Sequence, residues 1–220
     1  SKSVLSISQD VIATVQREVR ASEIWQSSNT SLSYKGELLV PLYPDTTGEG
    51  AFSRVYAYAR NSSIVVKVFK DIAAKPQNEF DAQAFAWGVD LAARPLSWGK
   101  TDCGTFACIE MERVYLVDSI SLSCESKAFF IKDFVRKLAI FHSANWVHLD
   151  IRRPVEEEYY TYGGCEAFGS PWDNICLTAK GIVLLDYGLA YHDPKRGGDL
   201  LIMQEVDLDD FAEYCETLTN

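Results

Sequence analysis

The chain predicts an α+β fold of two lobes, a small antiparallel-sheet lobe followed by a reduced helical lobe. Three observations carry that expectation. Residues 35–114 break into short β-type runs separated by turns. Beyond about residue 127, apolar side chains recur at intervals of three and four. A chain of 220 residues, 47% of them hydrophobic, has the length for one respectable core or two small lobes sharing a cleft, and not for a third domain.

The elements follow in order. Ile7, Val11, Ile12, Val15, Val19 and Ile24 fall near helical spacing and predict an amphipathic helix over 7–25, packed on the small lobe; partner binding is the alternative role. The polar stretch QSSNTS at 26–31 is a linker, so the domains read as an extension 1–34, a sheet lobe 35–114 and a helical lobe 115–220. ELLVPLY, RVYAYA and IVVKVF form a meander with a turn at Asn61–Ser63. Pro76 opens a helix in which Phe80, Ala84 and Trp87 keep helical spacing to about Gly88. PLSWG and TFACIEMERV complete the sheet. Phe130, Phe134, Leu138 and Phe141 mark one face of a helix over about 127–143. WVHLDI is a buried strand running into a loop, and ICLTAKGIVLLD is a hairpin turning at Lys180-Gly181. In VDLDDFAEYCETL, Leu208, Phe211, Cys215 and Leu218 share a face of a final helix.

Charge and cysteine content narrow the partners. A net charge of −10 repels a nucleic-acid backbone and an anionic membrane, so neither is expected as a partner, and no apolar stretch of about 18 residues is present to span a bilayer. The six cysteines contain no C-x-x-C pair and have three histidines beside them, which disfavours zinc. They read as reduced thiols of a cytoplasmic protein, with Cys108 and Cys176 inside apolar runs. The start SKSVLS, without a methionine, reads as a trimmed chain. No feature sets an oligomeric state.

Four strings then carry chemistry: GEGAFSRV at 48–55, VVKVF at 65–69, HLD at 148–150 and LLDYG at 184–188. Gly48 and Gly50 let backbone approach a phosphate where a side chain would collide; standing alone, the same residues read as a hairpin turn. Lys67 lies between valines, so alternation puts Val66 and Val68 on one face and leaves its ammonium among Val65 and Phe69, where it needs an anion. Glu79 on the following helix is the first choice of partner and Asp81 the second. Asp186 ends an apolar run, and a carboxylate buried there needs a cation.

In this order the strings resemble the glycine-rich loop, phosphate-binding lysine, catalytic loop and metal-binding Asp-x-Gly of the protein-kinase superfamily. The resemblance covers about 35–190 and implies a two-lobed protein-kinase-like fold binding ATP and Mg²⁺. It implies that Gly48, Gly50, Ser53, Val55 and Lys67 hold the nucleotide, with Ser53 at the family's third glycine, that Glu79 holds Lys67, and that Met111, Glu112 and Val114 line the adenine. It implies Asp150 as the catalytic carboxylate, with Leu149 where most members have arginine, and Arg152 beside it as a contact to the transferring phosphate.

The family's metal-binding asparagine stands five residues after the aspartate, but position 155 is valine here. The matching residue is Asn174, with 153–172 read as an insertion. Lengthening the connection from 4 residues to the 23 between Asp150 and Asn174 costs about 1.5 kcal/mol of closure entropy, which a site survives. Asn174 and Asp186 are then the metal ligands. The insertion either covers the acceptor site or is a surface excursion.

No A-P-E segment follows Gly188, so the chain resembles a minimal, atypical kinase of the kind found among bacterial effectors and viruses. The implied activity is transfer of the γ-phosphate to a serine or threonine of a protein substrate, in the cytoplasm or a host cytosol. The alternatives are a small-molecule kinase of the aminoglycoside or choline type and a nucleotide-binding pseudokinase.

Overall fold

The computed structural model describes residues 4–26, 31–42, 52–152, 172 and 174–219. By its contacts the chain divides into two compact units, 1–76 with 97–110, and 77–96 with 111–220.

The first unit begins with helix α1 (Val4–Gln26) and continues through strands β1 (Leu32–Tyr34), β2 (Glu37–Pro41), β3 (Ser53–Tyr58) and β4 (Asn61–Phe69), with β5 (Pro95–Lys100) and β6 (Ala107–Glu112) joining from later in the chain. The sheet order is β1-β2-β3-β4-β6-β5, and the β1/β2, β2/β3 and β3/β4 pairs are antiparallel. Val66 and Val68, both fully buried, pack with Tyr56, Phe106 and Cys108, which fixes which face of β4 carries Lys67. The turn between β3 and β4 falls at Ala59 and Arg60, earlier than the sequence suggests. A register shift at Ala57/Tyr58 advances the strand, and Asn61 instead accepts bonds from the backbone N–H (3.1 Å) and hydroxyl (2.6 Å) of Ser63.

The sheet curls until its edge strands meet. Tyr34 on β1 and Ser97 on β5 share a hydroxyl–hydroxyl bond of 3.1 Å, and Asp102 N–H donates to the Ser33 carbonyl. Glu110 stands inside the curl, 8% exposed, and accepts from Lys35 Nζ (2.5 Å), Ser97 Oγ (2.5 Å) and Tyr58 OH (2.9 Å). Burial pushes its carboxyl up, but those three bonds outweigh burial and hold it below the usual carboxylate range.

Among the described side chains, α1 docks by its last turns. Ala21, Ile24 and Trp25 join the core of this unit, Trp25 meets Phe106 edge-on at 5.4 Å, and Arg54 stacks on the indole while donating to the Trp25 carbonyl. Val11, Val15 and Val19, expected on the buried face, are 57%, 51% and 53% exposed because they lie on turns ahead of that contact.

The second unit contains helix α2 (Gln77–Gly88), a 3-10 turn at Ser119–Ser121, helix α3 (Cys124–Ser143), strands β7 (Trp146–Val147), β8 (Ile175–Thr178), β9 (Gly181–Leu184) and β10 (Tyr191–His192), and helix α4 (Gly198–Thr219). Ser123 caps α3 by accepting from Ser126 N–H, and Phe134, Leu138 and Phe141 are buried as their spacing predicts. They meet Ala82 and Ala86 of α2, Leu177 and Ile182 of the β8–β9 hairpin, and Phe211, Tyr214 and Leu218 of α4 in one core.

Three sequence expectations shift here. The buried side of α2 is Glu79, Ala82, Gln83 and Ala86, while Trp87 is exposed. The β8–β9 turn sits at Ala179 and Lys180, so Gly181 opens β9. α4 starts at Gly198, well ahead of Val206, and its inner stripe is Leu200, Asp207, Phe211, Tyr214 and Leu218, with Leu208 exposed. A buried aspartate in that stripe rotates the inner face by one residue from a purely apolar count.

Among the described residues all five cysteines are free thiols. Burial pushes Cys108 and Cys176 up to about 12, as befits packed thiols and not reactive ones. No described helix is long and apolar enough to cross a membrane.

Candidate functional site

β7, paired with β10, delivers the chain into His148, Leu149 and Asp150. His148 is wholly buried, and its two ring nitrogens have separate duties. Nε2 lies 3.0 Å from the Leu185 carbonyl and Nδ1 accepts from Asp150 N–H at 3.3 Å, which assigns the ring proton to Nε2. The ring thus ties the Asp150 backbone to the residue before Asp186.

Leu149 adopts φ +64°, a left-handed conformation that costs an ordinary side chain about 1–2 kcal/mol. What holds it is Asp207 of α4, with no exposed surface. Its Oδ1 accepts from Leu149 N–H (2.8 Å), and its Oδ2 accepts from His148 N–H (2.8 Å) and meets His142 Nε2 (2.9 Å). Charge-assisted bonds to two successive N–H groups fix the peptide planes on either side of His148, the second of which leads into Leu149. Asp150 therefore leaves the loop in one direction.

Asn174 is 3% exposed and leads into β8. Its Nδ2 donates to Asp150 Oδ2 at 2.8 Å and to the Asp150 carbonyl at 2.9 Å, while its own carbonyl accepts from Leu185 N–H at 2.7 Å. The pairing of Ile175 with Leu184 across the hairpin brings Asn174 beside Leu185, and so beside the approach to Asp186. Asp186 is half-buried at φ +54°, the second strained non-glycine residue of the site, and its Oδ1 accepts from Gly188 N–H at 3.1 Å. Strain of this kind gathers where surrounding bonds over-determine the backbone, as functional sites require. Glu79, 5% exposed, reaches the same turn: a methyl group added to Gly188 would lie 3.1 Å from Asp186 Oδ1 and 3.5 Å from Glu79 Oε2.

The structure thus gathers Glu79, Asp150, Asn174 and Asp186 in the second unit. Arg152, exposed, pairs through Nη1 with Glu213 of α4 at 2.5 Å and lies 5.8 Å from the Trp172 ring. Met111 is half-buried with its sulfur 3.4 Å from Gln83 Nε2; Glu112 is exposed and its N–H donates to the Arg94 carbonyl; Val114 is half-buried. In the first unit Lys67 is 7% exposed, with Nζ 5.2 Å from the Phe69 ring centre, and it pairs in register with Val55; Ser53 is buried opposite Phe69. Gly48, Gly50 and the insertion from 153 to 171 lie outside the described residues.

Sequence reading missed Asp207 and the wiring of His148. The signal for Asp207 was present as an acid spaced 4, 7 and 11 residues ahead of Phe211, Tyr214 and Leu218, which places a charge in the buried stripe.

Among solved structures the chain is similar to the kinase PK-1 of Cydia pomonella granulovirus, with 16% identity and a TM-score of 0.48 over 84% of this chain. It spans 58% of that kinase. No protein-family model and no curated protein sequence matches the chain.

Proposed function

We propose that this chain is an ATP- and Mg²⁺-dependent phosphotransferase of the protein-kinase type, acting on a serine or threonine hydroxyl of a protein. The observation that carries the reading is the bond from Asn174 Nδ2 to Asp150 Oδ2, made across the 23 intervening residues. A surface aspartate capping a turn needs no buried amide from a distant hairpin, whereas a carboxylate that must orient a hydroxyl does.

In this reading Asp150 accepts the proton of the acceptor hydroxyl as its oxygen bonds to the γ-phosphorus and the bond to the β-phosphate oxygen breaks. Asn174 fixes the carboxylate's rotation, and Asp207 fixes the backbone that bears it. Among the described residues no group of three or more His, Cys, Asp or Glu is placed to hold a metal by itself. Two oxygen donors, from Asp186 and Asn174, suit a small hard cation that completes its shell with water and phosphate oxygens. Bound there, Mg²⁺ would neutralise charge developing on the phosphates.

Lys67 is assigned to those phosphates and Glu79 to Lys67. Gly48, Gly50, Ser53 and Val55 are assigned to covering the nucleotide, and Met111, Glu112 and Val114 to the adenine. The division at 34 and 114 into extension, sheet lobe and helical lobe belongs to the same reading, as does a reducing, cytoplasmic setting, which the free cysteines support.

Labelled ATP, Mg²⁺ and a protein extract test it. The wild-type protein should label protein bands. Asp150→Ala should label none while binding ATP within a few-fold of wild type. Labelled metabolites in place of proteins would move the acceptor to the small-molecule class, and equal labelling by Asp150→Ala would remove Asp150 from the mechanism.

A further inference from the structure

Where most of the kinases it resembles have phenylalanine after the metal-binding aspartate, this chain has Tyr187, and its hydroxyl has a definite partner. The side chain is 1% exposed, edge-on to His148 at 4.8 Å and to Phe141 at 6.1 Å, and its OH donates to the Leu91 carbonyl at 3.2 Å. Burial pushes the phenol far above its ordinary value, so it remains a donor at any physiological pH.

Leu91 belongs to the cap of α2. Leu91 N–H bonds the Ala86 carbonyl (2.8 Å), Asp90 N–H bonds that of Trp87 (3.0 Å), and Asp90 stands at φ +61°. This is a Schellman cap, in which the residue after the left-handed position closes back on the last helical turn and its own carbonyl points away. That carbonyl accepts from both Tyr187 OH and Leu184 N–H (2.7 Å). At the other end of α2, Asn78 Nδ2 donates to the Ala190 carbonyl at 3.0 Å, and the turn between is closed by Ala190 N–H on the Tyr187 carbonyl (3.0 Å). The segment 184–190 therefore grips α2 at its first turn and beyond its last. Between those grips lie Asp186 and Glu79.

We propose that Tyr187 and Asn78 are positioning residues that latch α2 to the Asp186 turn, so that Glu79 and Asp186 move as one body and stay in fixed relation without modification or a partner. A phenylalanine at 187 would keep the packing and leave the Leu184 N–H bond alone to grip the cap. The consequence for metal and nucleotide rests on the phosphotransfer reading. The latch itself rests on the contacts above.

Native-state hydrogen exchange of wild type, Tyr187→Phe and Asn78→Ala tests it, with Mg²⁺-dependent nucleotide binding measured alongside. Leu91 keeps its bond from Leu184 N–H in Tyr187→Phe, so that variant loses one buried hydrogen bond and leaves no orphaned acceptor. Exchange should rise about five-fold, and in both 184–190 and α2, with α3 unchanged. Asn78→Ala, at an exposed position where folding is safe, should raise the same two segments together. In nucleotide-binding protein, Tyr187→Phe should weaken the Mg²⁺-dependent part of affinity by a similar factor and spare the metal-free part. Faster exchange in 184–190 alone, a uniform rise that includes α3, or no change in either variant would overturn the latch. A wild-type protein that binds no Mg²⁺-nucleotide would refute the reading of the site, and the exchange pattern would still decide the latch.

Discussion

Asp207→Asn is the substitution whose effect the structure specifies most fully. The carboxylate is wholly buried, with two oxygens serving three donors: Leu149 N–H on Oδ1, and His148 N–H and His142 on Oδ2. Asparagine keeps the shape and one acceptor oxygen. Placed with its oxygen toward His148 and His142, it turns an NH₂ group toward Leu149 N–H, donor against donor. Losing a bond to a charged acceptor is worth about 1.5–3 kcal/mol, and neutralising the acceptor roughly halves the other two. The variant no longer buries a charge, which returns part of that loss. A net destabilisation of about 2–4 kcal/mol follows, a large share of the roughly 5–15 kcal/mol that holds a domain together. Urea unfolding should show a lower midpoint at unchanged slope. The local effect should exceed the global one, because Leu149 at φ +64° is strained and relaxes once its N–H is released. Amide exchange at 148–150 should accelerate beyond what global unfolding explains, and phosphate transfer should fall with it. A stability change below about 0.5 kcal/mol with unaltered exchange at Leu149 would show that Asp207 does not hold the loop.

Two further predictions concern the nucleotide and pH. ATP with Mg²⁺ should raise the melting temperature of the wild-type protein through binding to the folded state, and the rise should shrink in Lys67→Ala and in Asp186→Ala; equal shifts in all three would refute the assigned site. Glu110 is held below its ordinary carboxyl value, so the unfolded chain binds its proton first: its stabilisation is full above about pH 4.5 and is lost as pH falls through the folded value. Glu110→Gln should therefore lower stability at pH 7 and flatten the acid slope below about pH 4.5, although Lys35, 52% exposed, contributes little. An acid slope identical to wild type would exclude Glu110 as its source.

The sequence by itself determined the element types and offered the candidate residues of the site, Asp207 excepted. Lys67 was legible because strand alternation puts its ammonium on a face shared with the apolar Val65 and Phe69, and Asp186 because an acid ends an apolar run. Asn174 was legible through order along the chain, with loop entropy cheap enough to permit the long connection. These are local signals, set by periodicity and by burying charge.

Only the tertiary structure decided what holds those residues in place. Asp207 bonds Leu149 from 58 residues away and Tyr187 bonds Leu91 from 96 away, separations at which no local pattern constrains direction. The same applies to faces. A periodic count put the α1 valines inside and Leu208 inward, but which stripe is buried depends on the surface a helix meets: among the described residues α1 joins the core at Ala21, Ile24 and Trp25, and α4 turns to bring Asp207 to the backbone donors of His148 and Leu149. Periodicity shows that a helix has two faces, and the side occupied by partners is set by packing and by the need of buried N–H groups for an acceptor.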